Sequence, residues 1–179
     1  ALSRHHADFI KDQCHKINRS IINYCIEHHA GTLVLGENKR WKQDCDMGSQ
    51  NNQNFVSMPT RLLKQMIIYK ASDAGIKIIM QEESYTSQAD ITAMDYIPVY
   101  GIDAENAVFS GKRISRSLYR CFNGMIINAD CNGAANIMRK AITDAWNSIT
   151  DFSFLASPEV SGFHELNPLS ISVKGIAAA

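Results

Sequence analysis

Acidic and amide side chains cluster in three stretches of the sequence, each next to a predicted strand end or helix start: residues 36–43, 81–87 and 127–137. Ligands and catalytic groups gather at the carboxyl ends of parallel strands. Carboxylates brought together there can hold Mg²⁺, which takes oxygen ligands and keeps several of its waters. Two such ions about 3.5–4 Å apart can activate a water and stabilise the leaving oxygen of a phosphodiester. Solvated surfaces carry similar residues, so the pattern alone does not separate the two interpretations.

The elements that would position these residues alternate between helix and strand. Apolar spacing predicts a helix over residues 2–29, and Pro59 and Gly75 bound a second one. Short apolar runs predict strands over residues 32–35 and 76–80. A strand–helix–strand unit of this length forms a crossover between parallel strands.

The second half of the chain predicts a hairpin followed by a helix. Residues 84–117 have no periodic pattern and are predicted to be irregular. Residues 118–127 predict two short strands joined by a tight Asn123-Gly124 turn. A third helix is predicted from near Asn128 to Trp146.

Composition restricts the class of protein. The 179 residues carry 18 basic and 18 acidic side chains, so the net charge of zero argues against a basic coat for bulk nucleic-acid or membrane binding. A hydrophobic content of 45% excludes a disordered chain, and no apolar run is long enough for a membrane helix. The five cysteines are widely spaced without a Cys-x-x-Cys pair, which is typical of reduced thiols in a cytoplasmic protein.

Two motifs carry a resemblance to a known family: EESYTS at residues 82–87, and NADCNGAANI at residues 128–137. Shorter stretches between residues 41 and 113 agree with it, namely WKQ, NQNFV, YKA and FSGKR. The sequence resembles the OrfB/TnpB family of insertion-sequence proteins over residues 1–146. The resemblance implies an α/β fold of the RNase H-like (RuvC-like) type and a transposon-associated, RNA-guided DNA endonuclease.

The resemblance also divides the chain. Residues 1–149 correspond to the C-terminal portion of the RuvC-like nuclease domain, with residues 84–117 in place of a zinc ribbon. Residues 150–179 form a C-terminal tail. The N-terminal strands of the RNase H-like sheet would precede residue 1, so the fold is expected to be incomplete. We expect the missing N-terminal segment, a second copy of the chain or an exchanged strand to cover the open sheet edge.

The family has three catalytic acids, and the resemblance assigns two of them here. Asp130 matches the third acid directly, whereas the first would precede residue 1. The second is a Glu after a strand in most members, where this chain has Gly36, and in some members it is a Glu just before Tyr-Thr-Ser. Glu83 is therefore preferred, with Glu37 as the alternative, because a one-residue slip turns a strand side chain to the opposite face. Glu82 is third, and a solvent-facing or lysine-pairing role is preferred for it.

The resemblance implies two Mg²⁺ or Mn²⁺ ions in the complete protein, held by Glu83 and Asp130 together with the missing Asp. No structural zinc is expected. The interval that holds four cysteine ligands in the family, residues 88–127 here, contains only Cys121.

Two basic patches could contact the phosphates of DNA and guide RNA, the partners that the resemblance implies. The first patch consists of Lys39, Arg40, Trp41 and Lys42. The second patch consists of Lys112, Arg113, Arg116 and Arg120. Trp41 either stacks on a base or packs against the second helix. Tyr119 is interleaved with the basic residues of the second patch, and aromatic side chains can stack on unpaired bases.

We therefore predict that the complete protein hydrolyses DNA phosphodiesters in a metal-dependent reaction, and that residues 1–179 alone are inactive without the first Asp. The alternative is a catalytically inactive nucleic-acid-binding remnant, or a regulatory fragment of a transposase. A structural fragment without activity is a third interpretation.

Overall fold

The computed structural model describes residues 2–37, 59–103, 105 and 107–159. Its helices and strands, in chain order, are α1 (Leu2–Glu27), β1 (Thr32–Glu37), α2 (Thr60–Asp73), β2 (Lys77–Glu82), β3 (Lys112–Arg113), β4 (Leu118–Arg120), β5 (Ile126–Asn128) and α3 (Ala129–Ala141). The chain divides into two compact units. The described residues of the first are 2–33 and 59–78, and those of the second are 34–37 and the remainder from 79 to 159. The architecture is mixed α/β.

The first unit is built on α1 and α2, which pack against each other. Cys14, Ile22 and Cys25 recur at helical spacing and are buried, because this spacing puts them on one face of α1. Asn18 lies on the same face, and its amide donates a hydrogen bond of 3.1 Å to the carbonyl of Leu63. Burial raises the pKa of the Cys14 and Cys25 thiols, and all four described cysteines are free.

Strands β1 and β2 pair in a two-stranded sheet. The N–H of Lys77 donates to the carbonyl of Gly31 over 2.9 Å, and the N–H of Glu83 donates to the carbonyl of Glu37 over 3.3 Å. Both bonds join residues in the same ascending order, so the strands run parallel as predicted. Each strand ends two residues later than predicted, because backbone pairing continues past the last residues of the apolar runs.

The second unit contains an antiparallel sheet of β3, β4 and β5. Tyr119 pairs with Ile127, and the chain reverses between them at Gly124, whose φ of +85° is one that glycine adopts without strain. The predicted hairpin is therefore confirmed. Its inward residues Tyr119 and Ile127 are fully buried in a core that also contains Ile91, Cys121, Ala129, Ala135, Phe152 and Leu155.

Helix α3 begins as predicted but ends earlier. The Asn128 side chain caps its first turn by accepting hydrogen bonds from the N–H groups of Asp130 and Cys131, at 2.9 and 3.0 Å. The helix stops at Ala141, so the prediction that it continues to Trp146 is wrong. Ile142 is extended, and the chain turns back until the Trp146 indole N–H donates to the carbonyl of Ala135 over 3.0 Å.

Two buried carboxylates, those of Asp90 and Asp95, stabilise the segment after β2, residues 84–117, by accepting hydrogen bonds. Asp90 accepts from the Thr92 N–H, the Thr92 hydroxyl and the N–H of Phe122, at 2.8, 2.7 and 2.6 Å. Asp95 accepts from the N–H of Asp90 at 2.9 Å and from the N–H and hydroxyl of Ser110 at 2.8 and 2.6 Å. The described residues of 84–117 form turns and irregular backbone, as predicted, apart from the short strand β3 near the end. None of the described helices is long and apolar enough to cross a membrane.

Candidate metal centre and nucleic-acid face

Glu83 and Asp130 lie on the walls of the same pocket, which has a volume of about 400 Å³. Glu83 directly follows β2, and Asp130 is in the first turn of α3. The other lining residues are Ser84, Tyr85, Thr86, Ser87, Arg113, Ala129, Gly133, Ala134 and Ile137. The structure thus brings together the two acids preferred from the sequence, and it surrounds them with the four hydroxyl-bearing residues of the EESYTS motif, Ser84, Tyr85, Thr86 and Ser87.

A tight turn after β2 fixes the backbone of Glu83. The Glu83 carbonyl accepts hydrogen bonds from the Thr86 hydroxyl at 2.7 Å and the Thr86 N–H at 3.3 Å. Tyr85, between them, has a φ of +62°, a left-handed conformation that costs a tyrosine of order 1 kcal/mol or more. Its ring is stacked near that of Phe109, with 6.3 Å between ring centroids. Strain of this kind clusters at functional sites, and here it lies at the pocket wall.

Asp130 projects from the N-terminal turn of α3, where the helix dipole stabilises a negative charge. Its side chain is 85% exposed, and one carboxylate oxygen lies 3.5 Å from a guanidinium nitrogen of Arg113. Such an exposed and long ion pair contributes little to stability. The carboxylate therefore remains accessible from the pocket.

The other two candidate glutamates are placed differently. Glu37 ends β1, is partly buried, and is not among the residues that line the pocket. Glu82 forms an ion pair with Lys140 and also accepts from the N–H of Ser84 at 2.7 Å. Burial alone would raise the pKa of Glu82, but hydrogen bonds from Lys140 and Ser84 lower it below its ordinary value. Glu82 therefore pairs with a lysine, which is one of the two roles preferred for it from the sequence.

The donor set of the pocket fits a hard divalent cation. Mg²⁺ is usually bound through one or two carboxylates, with waters and substrate phosphates completing its shell. Glu83 and Asp130 supply two carboxylates, and in the described part of the chain no other residue donates a hydrogen bond to the Glu83 carboxylate. Among the described residues, no group of three or more His, Cys, Asp and Glu side chains is close enough to hold a metal ion together. A third carboxylate would have to come from outside these residues.

The second basic patch lies on and beside the antiparallel sheet. Its four members, Lys112, Arg113, Arg116 and Arg120, are all exposed. Arg113 is partly engaged, because it donates to the carbonyls of Ser115 and Arg116 and faces Asp130. The first patch, Lys39, Arg40, Trp41 and Lys42, lies outside the described residues.

Tyr119, the aromatic residue interleaved with this patch, is not available for stacking on a base. Tyr119 is fully buried, its hydroxyl donates to the carbonyl of Gln88 at 2.7 Å, and burial raises its pKa well above the ordinary value. It cannot stack on a base. Phe122, at the hairpin turn, is 61% exposed and lies close in sequence to Arg120. Its position in a tight turn was the available signal, because turn side chains commonly face solvent.

Asn132 and Asn136 belong to the NADCNGAANI motif and hold the site together, although neither is among the predicted site residues. Both are fully buried on α3, and their amides donate to the carbonyl of Ala89, each at 2.8 Å. Asn136 also donates to the carbonyl of Thr86 at 3.0 Å, so it ties the turn after Glu83 to the helix that carries Asp130. Two amides four residues apart on one helix face were a readable signal, because they point the same way.

Comparisons with known proteins identify the class. A family model described as "Cas12f1-like, TNB domain" matches residues 61–137, which contain both motifs. The chain is 32% identical over 132 residues to the CRISPR-associated endodeoxyribonuclease Cas12f1 of Sulfoacidibacillus thermotolerans, covering 73% of this chain and 27% of that protein. It is 31% identical over 141 residues to the CRISPR-associated endodeoxyribonuclease Cas12f2 of Micrarchaeota archaeon (strain CG1_02_47_40), covering 73% of this chain and 24% of that protein.

These relatives are nucleases related to the family that the two motifs predict. The chain is a TnpB-like protein. It spans about a quarter of the length of the curated relatives that it matches.

Proposed function

We propose that the chain is the C-terminal part of a RuvC-like nuclease domain, with an RNase H-like fold, in a cytoplasmic protein that hydrolyses DNA phosphodiesters under RNA guidance. The observation that carries the proposal is the common pocket of Glu83 and Asp130. Each acid comes from one of the two family motifs, and both motifs lie in residues 61–137, which match the Cas12f1-like TNB domain.

Glu83 and Asp130 would hold Mg²⁺ or Mn²⁺ through their carboxylates. When bound, such ions activate a water and stabilise the leaving oxygen of a phosphodiester. Arg113 lines the same pocket, and its guanidinium suits a phosphate oxygen of the substrate. Asn136 keeps the turn after Glu83 bonded to α3, which limits the movement of one acid relative to the other.

Metal binding by the 179-residue chain tests this assignment. Mn²⁺ affinity is measured by electron paramagnetic resonance for the unmodified chain and for single variants. Glu83→Gln and Asp130→Asn remove one carboxylate each and should weaken binding about tenfold or more, whereas the matched controls Glu37→Gln and Glu82→Gln should keep it. Loss of binding in Glu37→Gln with full binding in Glu83→Gln would reverse the assignment in favour of Glu37.

The alternative function is a nucleic-acid-binding fragment or regulator without catalytic activity. The observation that favours it is the presence of only two pocket carboxylates among the described residues, since a two-metal site normally needs more negative ligands. The chain is incubated with labelled single- and double-stranded DNA and Mg²⁺ or Mn²⁺, and binding and cleavage are measured together. Cleavage that Asp130→Asn abolishes would support the nuclease. Binding without cleavage would support the alternative only when it is also found with the complete protein, since this chain alone is expected to be inactive in either case.

A further inference from the structure

Gly36, in β1, lies directly against the carboxylate of Glu83. A Cβ atom built on Gly36 would clash with Glu83 Oε2, and it would lie 3.0 Å from Cδ1 of Ile137 and 3.4 Å from Cδ of Glu83. The carboxylate of Glu83 therefore occupies the space that any other residue type at position 36 would fill.

Space, rather than backbone conformation, explains a glycine at this position. The φ angles of Gly75, Gly101 and Gly124 are positive, but that of Gly36 is not. Glycine inside a strand weakens it and often marks a close approach of another group. Gly31, just before the same strand, is the opposite case, because a Cβ there would meet nothing within 4 Å.

We propose that Gly36 is a positioning residue for the metal ligand Glu83: its missing side chain lets the Glu83 carboxylate lie against β1 at the pocket shared with Asp130. This inference rests on the proposed metal site. The atoms that a methyl group at position 36 would meet are the ends of the Glu83 and Ile137 side chains, which can rotate. Gly36→Ala should therefore displace the carboxylate and leave the fold intact.

The test compares Gly36→Ala with Gly31→Ala in the 179-residue chain. Mn²⁺ affinity is measured by electron paramagnetic resonance, and the urea midpoint reports folding. Gly36→Ala should weaken Mn²⁺ binding about tenfold or more, the scale on which misplaced ligands act. Gly31→Ala should leave the affinity unchanged, and both variants should keep nearly the urea midpoint of the unmodified chain.

A second pair of variants separates displacement of Glu83 from any other effect of the added methyl group. In a chain that already carries Glu83→Ala, the Gly36→Ala change should cause no additional loss of Mn²⁺ affinity. Gly36→Asp in the same background should recover part of the lost affinity. The Cβ of that aspartate would lie beside the position that Glu83 Oε2 occupies now, so its carboxylate would be close to the position of the lost one.

Three results would overturn the inference: full Mn²⁺ affinity in Gly36→Ala, an equal additional loss in the Glu83→Ala background, or no recovery in the folded Gly36→Asp variant of that background. Failure of the unmodified chain to bind Mn²⁺ would overturn the proposed metal site itself. In that case, the ¹³C NMR signal of the Glu83 carboxyl decides the steric contact. A shift in Gly36→Ala but not in Gly31→Ala would support the contact, and its absence would refute it.

Discussion

Replacing Asp90 with alanine should destabilise the second unit severely, although Asp90 is outside the proposed metal site. The carboxylate is fully buried and accepts from two backbone N–H groups, those of Thr92 and Phe122, as well as from the Thr92 hydroxyl. Alanine would leave both backbone donors without this partner. A donor that no water can reach costs about 1–3 kcal/mol when it is left unsatisfied, so the loss is at most about 2–6 kcal/mol. That is a large part of the roughly 5–15 kcal/mol that stabilises an ordinary domain.

Urea unfolding followed by tryptophan fluorescence measures this loss, because Trp146 packs on the core of the second unit. Asp151→Ala is the matched control. Asp151 also accepts two hydrogen bonds, from the N–H and hydroxyl of Ser153 at 2.8 and 2.9 Å, but it is exposed and water can replace them. Asp90→Ala should lower the urea midpoint strongly, and Asp151→Ala only slightly.

The reasoning would be refuted if the two alanine variants unfolded at the same urea concentration. Asp90→Asn provides a further check, because it keeps the volume of the side chain but turns one acceptor into a donor. If that amide group faces the N–H of Phe122, two donors meet. If it faces the N–H of Thr92 instead, that bond is lost. Hydrogen exchange should accelerate at the amides of both Phe122 and Thr92 in Asp90→Ala, at one of the two in Asp90→Asn, and at neither in Asp151→Ala.

Three further predictions follow from the site. The pKa of Glu82 is lowered in the folded chain, so its ion pair with Lys140 stabilises the fold above the ordinary glutamate pKa. At pH 7, the urea midpoint of Glu82→Gln should therefore be below that of the unmodified chain. This difference should shrink as the pH falls below about 4.5. Arg113→Gln removes a cation that faces Asp130 and should strengthen Mn²⁺ binding about two- to fivefold, measured by electron paramagnetic resonance, since exposed pairs are weak. Phe122→Ala should weaken binding of single-stranded DNA, measured by fluorescence anisotropy, by about 1–3 kcal/mol if the ring stacks on a base.

Local patterns in the sequence were sufficient to predict the regular elements except β3, which lies in the stretch predicted to be irregular. Apolar spacing predicts α1 and α2, short apolar runs predict β1 and β2, and the Asn123-Gly124 pair predicts the hairpin. The end of α3 could not be predicted in this way. Alanine and isoleucine continue the helical pattern past Ala141, but the chain turns because Trp146 bonds and packs back onto the helix.

The order within the turns after β2 could not be predicted because its bonds join residues far apart in sequence. Asp90 reaches the N–H of Phe122, 32 residues away, and Asn136 reaches the carbonyl of Thr86, 50 residues away. Such side-chain bonds to the backbone have no periodicity. The sequence of the segment therefore predicts an irregular loop, even though parts of the segment are fully buried.

The motifs predicted which acids the pocket contains, but not why Glu83 can reach it. The resemblance marks Gly36 only as a position where an acid is missing. The structure gives this glycine a positive role, because the carboxylate of Glu83 fills the space beside it. One sequence does not show the steric consequences of an absent side chain. They depend on which side chain of the neighbouring strand or turn lies beside the glycine, and here that side chain is Glu83.

The hydrogen bonds of each carboxylate distinguish the acids that hold the fold from those that can bind a cation. Asp90 has accepted three hydrogen bonds inside the core, and a metal ion could take its oxygens only by breaking them. Glu82 is paired with Lys140, whose side chain is only 9% exposed. The Glu83 carboxylate accepts no hydrogen bond from any other described residue. The Asp130 carboxylate has one long ion pair, with the Arg113 guanidinium at 3.5 Å. Because a bound cation must replace existing partners, these two pocket acids are the ones whose oxygens it can coordinate at the lowest cost.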